Sequence, residues 1–378
     1  MRLIYCELLK GAVPAVSFEV RAVTLHLGVT ASEADELSEA LEGAVSSLLE
    51  AVDSAASEVG RRPTYVRVAL PSPGGAELRG LAKALEGLAS QAAISVGQLE
   101  LSVSPEDLKA LASAGLYASL MLREPSWQQA RAAASLIASV ASEDPSLATR
   151  VAVNVSGEDH FITPYYPLAS AIPGRRLVTA ALTYPSFLAA AYRSGGLGGL
   201  TKAIAEAHGV AEALAKAVAS GVNAEYAGVD LSVSPWMEDS SLGLVEEVSG
   251  VRMPRPGFVV GVRLVNEAVE AASSGLRAVG FNEVMLPVGE DSKLKARVSE
   301  GDVNARYLAM LTGACVAGLD MVAVPADTQG VAGLILDVAS YSRAKGRTLG
   351  VRVIPVEGAE PGDKVDLDRF GEAPVIAI

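Results

Sequence analysis

A glycine, two acidic residues and a histidine follow one another at Gly157-Glu158-Asp159-His160. They come directly after Val151–Val155, an apolar run that predicts a strand. Carboxylate oxygens bind hard divalent cations, and an imidazole beside them can transfer protons near neutral pH. The motif therefore predicts a metal site formed by Glu158 and Asp159, with His160 as the proton-transfer residue. A solvated loop in which Asp159 only stabilises a turn explains the same residues without any chemistry.

Asp230 is a second candidate because it lies in an apolar, strand-like run, Gly228–Val233. A buried carboxylate is costly unless it is paired or binds a cation. Alternation along a strand places Asp230 on the same face as Ser232 and Ser234. We count Asp230 among the predicted metal ligands, and a structural ion pair is the competing interpretation.

The glycine-rich stretch Gly313–Thr328 is a third candidate, in which a predicted helix end leads into a strand. Asp320 opens that strand and Asp327 follows it, at the edge where parallel α/β sheets bind ligands. We assign Asp327 to the metal and Asp320 to catalysis, although Asp327 can equally cap the next helix. Cys315 could be a catalytic nucleophile, although a cysteine is more often a small core residue.

Strand–helix units must position these residues, and a repeated peptide indicates how such units are joined. Leu-Ser-Val-Ser-Pro occurs at Leu101–Pro105 and at Leu231–Pro235, directly after Glu100 and Asp230. In both copies the last serine can cap a helix and the proline fits its first turn. Each copy therefore predicts a strand that feeds directly into a helix, with a ligand site where the strands end.

Composition bounds the class of protein. The chain has 378 residues, half of them apolar, and a formal net charge of −13. This acidity argues against nucleic acid or an anionic membrane as partner, and no apolar run reaches the ~20 residues of a membrane span. Aromatic residues make up 5%, which argues against an aromatic binding cleft. Cys6 and Cys315 form no ligand cluster, so we expect a cytoplasmic protein, and scarce Asn and Gln fit an archaeal or thermophilic source.

Strand-like and helix-like stretches alternate along the whole chain, which is typical of a parallel α/β fold. No Pro/Ser-rich linker interrupts the alternation, so we expect residues 1–378 to form a single domain. Two long loops break the rhythm, at Ser156–Arg176 and Gly289–Asn304. Long loops in a compact domain are often functional. The first of them also holds Tyr165 and Tyr166.

Several stretches together resemble a known family. They are Val20–Leu25, Gly228–Ser232 with Pro235, Cys315–Thr328, Val351–Pro355 and Ala373–Val375. The family is domain of unknown function 711, a group of uncharacterised barrels similar to pyruvate formate-lyase. The resemblance implies a closed ten-stranded β/α barrel, built from two parallel five-stranded halves packed antiparallel. It does not imply glycyl-radical chemistry, because Arg369–Glu372 lacks the pattern of the radical loop and Cys315 has no adjacent cysteine.

These features predict an enzyme that acts on a small anionic metabolite at the barrel mouth. A divalent cation (Mg²⁺, Mn²⁺ or Ca²⁺), held by the carboxylates, would polarise the substrate or activate a water molecule. The alternative is a non-catalytic sensor or binding protein that works with a regulatory partner. The resemblance implies a small ACT-type protein as that partner, and a homodimer is the expected assembly.

Overall fold

The computed structural model describes residues 17–29, 34–73, 77–316 and 318–378, and Cys6 lies outside these ranges. The strands are β1 (Glu19–Leu27), β2 (Tyr65–Ala69), β3 (Ala93–Glu100), β4 (Tyr117–Met121), β5 (Val151–Asn154), β6 (Arg176–Thr183), β7 (Glu225–Asp230), β8 (Asp320–Pro325), β9 (Gly350–Val356), β10 (Lys364–Asp366) and β11 (Glu372–Pro374). The α-helices are α1 (Ala34–Val59), α2 (Leu78–Ala89), α3 (Pro105–Ser113), α4 (Trp127–Ala141), α5 (Pro185–Gly221), α6 (Ser241–Ser249), α7 (Phe258–Ser273), α8 (Ser292–Ser299), α9 (Ala305–Leu311) and α10 (Thr328–Lys345). Short 3-10 helices lie at Pro145–Arg150, Val288–Glu290 and Asp368–Phe370.

One large mixed sheet organises the described part of the chain. Its nine strands follow the order β7-β6-β1-β2-β3-β4-β5-β9-β8. Strands β1 to β5 run parallel to one another. The parallel pairs β6–β7 and β8–β9 join this group antiparallel, at β1 and at β5. The predicted α/β class, with mostly parallel strands, is therefore confirmed, while the sheet as hydrogen-bonded here has nine strands rather than ten.

Helices cover this sheet and bury its apolar side chains in one continuous cluster. Most strands are buried along nearly their whole length, as β4 and β5 are at every position. This is the burial expected of strands covered on both faces, and it explains their near-continuous apolar sequence. No helix among the described residues is long and apolar enough to cross a membrane.

The repeated peptide begins a helix only in its first copy. Ser104 caps α3 by accepting a hydrogen bond from the backbone N–H of Asp107 at 3.1 Å. After the second copy the chain makes a turn, and α6 begins only at Ser241. There the carbonyl oxygen of Pro235 accepts a hydrogen bond of 2.5 Å from Arg21 instead. The helix predicted at this copy is wrong, and because β3 and β7 run in opposite directions the two copies face different ends of the sheet.

The long loop between β5 and β6 folds back over the carboxyl ends of β1 and β2. The backbone N–H of Ala171 donates to the carbonyl of Leu70 at 3.1 Å, and that of Gly28 donates to the carbonyl of Arg175 at 2.7 Å. These bonds fasten the loop to the residues that directly follow the two strands. The predicted long loop therefore closes one end of the sheet.

His26 of β1 is fully buried beneath this loop. Its Nδ1 lies 2.7 Å from the carbonyl oxygen of Ser170, which only accepts, so Nδ1 carries the proton. Its Nε2 then accepts a hydrogen bond from the hydroxyl of Thr179 at 2.9 Å. Burial lowers the pKa of His26 to about 4, against a smaller opposite effect of the Ser170 carbonyl. The folded protein therefore holds a neutral imidazole.

We expect His26 to make the protein less stable in mild acid. In the unfolded chain its pKa is about 6.5, so between pH 6.5 and 4 the unfolded state takes up a proton that the folded state excludes. The free energy of unfolding should fall by about 3 kcal/mol across that window. Urea unfolding at pH 7, 6, 5 and 4 measures this slope, and His26→Gln should remove it. The matched control is the exposed histidine variant His160→Gln, which should keep the slope; an unchanged slope in His26→Gln would contradict the assignment.

Candidate functional site

A cavity lies against the large sheet, and charged, aromatic and apolar side chains from several strands and loops line it. Tyr65, Ala93 and Tyr117, the first residues of β2, β3 and β4, line it. The cavity thus lies toward the amino ends of these strands, and not at the carboxyl ends as expected for a simple parallel sheet. The antiparallel joining of the strand groups accounts for this difference, since residues that follow the carboxyl end of β7, such as Trp236, line the same cavity.

Two carboxylates and two arginines form a buried ion-pair network in the cavity wall. Glu290 pairs with both Arg21 and Arg352, and its Oε1 lies 2.9 Å from Nη2 of Arg352. Asp320 holds the other side of Arg352 through two contacts, at 2.6 Å from Nε and 3.0 Å from Nη2. This geometry resembles the two-point arginine–carboxylate pairing that is the strongest of its kind. The network connects β1, β8, β9 and the 3-10 helix at Val288–Glu290.

The arginines keep Glu290 ionised in spite of its burial. Burial alone would raise its pKa, but Arg21 and Arg352 together lower it to about 2. In turn, the carboxylates of Asp320 and Glu290 raise the pKa of Arg352, against the opposite effect of burial. A general base works best when its pKa is near the operating pH. Glu290 is therefore an electrostatic anchor for the arginines and a poor proton acceptor.

Local backbone irregularity directs Arg21 into the cavity. In the pairing of β1 with β6, Val20 lies opposite Leu182 and Ala22 opposite Ala181, so Arg21 is the extra residue of a β-bulge. A bulge turns a side chain away from the regular alternation of a strand. As a result Arg21 reaches Glu290, and its guanidinium also lies 5.4 Å from the ring centroid of Trp236.

Arg67 differs from the other buried arginines because none of the described carboxylates forms an ion pair with it. Its Nη1 donates to the carbonyl of Pro164 at 2.5 Å, and its side chain lies beside the rings of Tyr65 and Tyr166. Arg67 is 7% exposed. Burial and the positive charge of Arg21 lower its pKa, but an arginine remains charged in proteins. The cavity thus contains a buried cation whose charge no described anionic side chain neutralises at contact distance.

A hairpin brings a fourth arginine to the cavity. Strands β10 and β11 pair antiparallel, and the short helix Asp368–Phe370 forms the tip between them. Exposed Arg369 donates from Nη2 to the hydroxyl of Tyr117 at 2.9 Å and also lies over Tyr65. Phe370 is buried, and its carbonyl accepts a hydrogen bond of 2.5 Å from Lys295. Four arginines and two carboxylates line the cavity, so its wall carries an excess of positive charge.

The motif Glu158-Asp159-His160 lies at the opposite end of the sheet from this cavity. All three side chains are exposed, past the carboxyl end of β5. Glu158 accepts a hydrogen bond from the hydroxyl of Thr348 at 2.8 Å. Asp159 pairs with Arg123 at 2.8 Å, and Arg123 also binds Glu100. Arg123 thus holds Asp159 and Glu100 together, while Glu158 has a different partner.

Asp230 is fully buried and holds a loop against the end of β7. Its two oxygens accept hydrogen bonds from the backbone N–H groups of Ser232, Phe281 and Asn282, at 3.0, 2.8 and 3.1 Å. The hydroxyls of Ser232 and Thr163 add bonds of 2.6 and 3.2 Å. A Cβ atom at Gly280 would lie 2.2 Å from Oδ2, so the loop can approach only with glycine there. Neutral donors thus satisfy this carboxylate, without the ion pair that the sequence also allowed.

The remaining candidates occupy separate places. Exposed Asp327 caps α10, accepting backbone hydrogen bonds from Gln329 and Gly330 at 3.0 Å each. Cys315 is buried, with its Sγ 3.2 Å from the carbonyl of Leu311, while Asp320 lines the cavity. Among the described residues no three His, Cys, Asp or Glu side chains form a group that could hold a metal ion. The structure therefore does not bring the four predicted metal ligands together.

Three of the cavity arginines share a recognisable sequence pattern, which differs from that of the predicted carboxylates. Arg21, Arg67 and Arg352 each stand between two valine or alanine residues, in apolar, strand-like runs. For these arginines, as for Asp230, a charge in a buried strand is costly unless it is compensated. Of the two predicted long loops, the first contributes Tyr165 to the cavity, whereas the second is largely helical, with α8 and part of the 3-10 helix Val288–Glu290, and contributes Glu290.

Comparison with known proteins identifies the family. A family model described as Uncharacterised ACR (DUF711) matches residues 128–368, well over half of the chain. The chain belongs to this family. The match confirms the predicted resemblance, and the family itself is uncharacterised. The matched residues include Glu290, Asp320 and Arg352, whereas Arg67 and Arg369 lie outside them.

Curated relatives carry the name UPF0210 protein. One from Lactobacillus helveticus is 35% identical over 169 residues, which cover 42% of this chain and 37% of the relative. One from Methanopyrus kandleri is 34% identical over 176 residues, covering 45% of this chain and 39% of the relative. One from Pyrobaculum arsenaticum is 34% identical over 172 residues, covering 44% and 38%. The matched stretches thus span less than half the length of these relatives, and the names state no activity.

We expect Glu290→Gln to destabilise the protein strongly, because it leaves Arg21 and Arg352 without a shared counter-charge. Removing one partner of a buried ion pair costs about 3 kcal/mol or more. The pKa of Glu290 is depressed to about 2, so its contribution is present above pH 4.5 and is lost as pH falls toward 2. The stability gap between wild type and variant should therefore narrow from pH 7 to pH 3 in chemical unfolding. The control Asp53→Asn removes an exposed pair with Arg62 and should cost little; equal effects of the two variants would refute the network.

Proposed function

We propose that the cavity binds a small organic anion, with Arg67 as the principal binding group. The observation that carries this proposal is the buried guanidinium of Arg67 without an anionic partner among the described residues. A buried charge of this kind is unfavourable until a counter-ion arrives. Arg369, at the hairpin tip, supplies a second guanidinium beside the same ring of Tyr65. An anionic ligand would satisfy both arginines at once.

Of the two functions considered from the sequence, the geometry favours a binding protein or sensor over an enzyme. Both cavity carboxylates are engaged by arginines, and Glu290 is too acidic to act as a base at neutral pH. His160 is exposed at the other end of the sheet. The homodimer and the small ACT-type regulatory partner remain predictions. A sensor would use such a partner to transmit the signal that its ligand is bound.

We also propose that the sheet closes into a barrel. A ligand site enclosed by the strands needs a wall between the two edge strands, β7 and β8. Residues 278–291 would form that wall as the tenth strand position. Parallel bridges join Val229 to Ala278 and Val233 to Val284. On the other side, the backbone N–H of Val316 donates to the carbonyl of Val284 at 3.3 Å. The same segment contributes Glu290 to the cavity, which supports its place in the wall.

Arg67→Met should separate binding from stability. Methionine fills similar space without a charge, so the variant no longer buries an uncompensated cation, at the cost of one hydrogen bond to the carbonyl of Pro164. We expect the ligand-free variant to unfold at the same or a higher urea concentration than wild type. Its affinity for benzoate, measured by calorimetric titration, should fall by about tenfold or more, because a charge-assisted bond is lost.

The matched control for this experiment is Arg123→Met. It removes an arginine that is exposed and paired with Glu100 and Asp159, far from the cavity. Benzoate affinity should be unchanged in this control. Wild-type protein that binds neither benzoate nor any other small carboxylate, or equal affinity in Arg67→Met, would sink the proposed function.

Removal of divalent cations should leave anion binding intact, because the arginines supply the positive charge themselves. We expect the same benzoate affinity in EDTA and in millimolar Mg²⁺, Mn²⁺ or Ca²⁺. Titration of the chelated protein with each metal, followed by benzoate, makes this comparison. Tighter benzoate binding in the presence of one of these metals than in EDTA would contradict this expectation and favour the predicted cation held by carboxylates.

A further inference from the structure

Aromatic side chains are concentrated around the unpaired arginines. Seven of them line the cavity, although aromatic residues make up only 5% of the chain. The composition argued against an aromatic cleft, and this expectation is wrong, because the cavity is such a cleft. An average composition hides such a site when the few available rings are gathered in one place.

The rings form a cage rather than a single stack. Tyr117 and Tyr166 lie 5.2 Å apart between centroids, with their planes tilted by 58°. Trp236 meets Tyr65 and Phe370 edge-on, at 6.0 and 5.9 Å. Tilted and edge-on arrangements are those that aromatic rings prefer with one another. A further ring that entered this cage would meet both faces and edges of its neighbours.

The same rings flank the cations. The guanidinium carbon of Arg67 lies 5.3 Å from the ring centroid of Tyr65 and 5.0 Å from that of Tyr166. Arg369 lies 5.7 Å from the centroid of Tyr65 and 4.7 Å from that of Phe370. An anion that pairs with either arginine must therefore lie beside these rings. Whatever body the anion carries will also contact them.

The rest of the cavity wall is apolar. Phe281 and Met285 line it from residues 278–291, Leu168 from the long loop, and Val316 from the segment before β8. Methionine sulfur packs favourably against the edges of aromatic rings. The site therefore combines charged groups, the arginines, with a larger apolar and ring-rich surface beside them. A ligand that contacts both carries a negative charge and an apolar body.

We infer that the ligand is an aromatic anion, a planar ring that bears a carboxylate or another anionic group, held by Arg67 and Arg369 with its ring inside the aromatic cage. This inference rests on the proposed function and specifies its ligand class. Short aliphatic dianions fit less well, because they have no ring or apolar body to contact the aromatic side chains beside the arginines. Neutral aromatic molecules also fit less well, because they leave Arg67 unpaired.

Trp236 provides a direct readout of the cage. The chain has two tryptophans, and the other, Trp127, is 48% exposed on α4. In a Trp127→Phe protein the intrinsic fluorescence comes from Trp236 alone. The probes are benzoate, cyclohexanecarboxylate, succinate and benzyl alcohol, titrated into this variant of the whole 378-residue chain. Benzoate and cyclohexanecarboxylate match in charge and carbon count and differ in aromaticity.

We expect benzoate to change the Trp236 fluorescence and to bind about fivefold or more tightly than cyclohexanecarboxylate, the gain typical of one or two ring contacts. Benzyl alcohol and succinate should bind at least about tenfold more weakly than benzoate. Phe281→Leu keeps the wall apolar but removes one ring, and should reduce the preference for benzoate while leaving cyclohexanecarboxylate affinity nearly unchanged. A thermal unfolding curve checks that this variant is folded.

The possible failures are distinct. Equal affinity for the two cyclic carboxylates, with loss of both in Arg67→Met, would overturn the aromatic ligand class and leave the anion site standing. Tightest binding of succinate would overturn it as well. Absence of binding by all four probes, or binding that Arg67→Met does not alter, would overturn the anion site itself.

Discussion

The cavity depends on one constraint, which is that positive charge inside a sheet must be compensated. Glu290 provides most of that compensation, because it contacts one arginine of the parallel group β1 to β5 and one arginine of the pair β8–β9 at once. Arg21 belongs to β1 in the first parallel group, and Arg352 belongs to β9, which runs the other way. The carboxylate itself lies within residues 278–291. One buried acid thus connects the three parts of the wall, and Arg67 is left as the cation that the wall does not neutralise.

Much of the fold follows from local sequence. The apolar runs Val151–Val155 and Gly228–Val233 predicted β5 and β7 within a few positions, and Ser104 caps α3 where the repeated peptide indicates. The helix predicted at Pro235 failed because capping preferences are local, whereas a tertiary hydrogen bond from Arg21 holds that turn. The direction of the strand groups was available only from the family resemblance. No periodicity in the chain distinguishes parallel from antiparallel neighbours that are separated by a helix.

The candidate site was harder to predict, for a physical reason. Acidic residues at strand ends have several possible partners, and here they serve as acceptors for backbone N–H groups or as surface ion pairs. Asp230 and Asp327 each satisfy unpaired backbone donors, which is a structural task that looks like metal ligation in sequence. An arginine inside a strand has fewer purely structural explanations, since few side chains can compensate its charge. A charged residue inside an apolar strand is rarer and costlier than an acidic residue at a strand end. By this criterion Arg21, Arg67 and Arg352 are the stronger site candidates.

The acidity of the chain and the positive cavity have a joint kinetic consequence. With a net charge of −13, the protein as a whole repels small anions at long range, while the buried arginines attract them only once they are close. Dissolved salt weakens long-range forces first, over a screening length of about 10 Å at 0.1 M. Added salt should therefore speed the arrival of an anion even as it loosens the final contact.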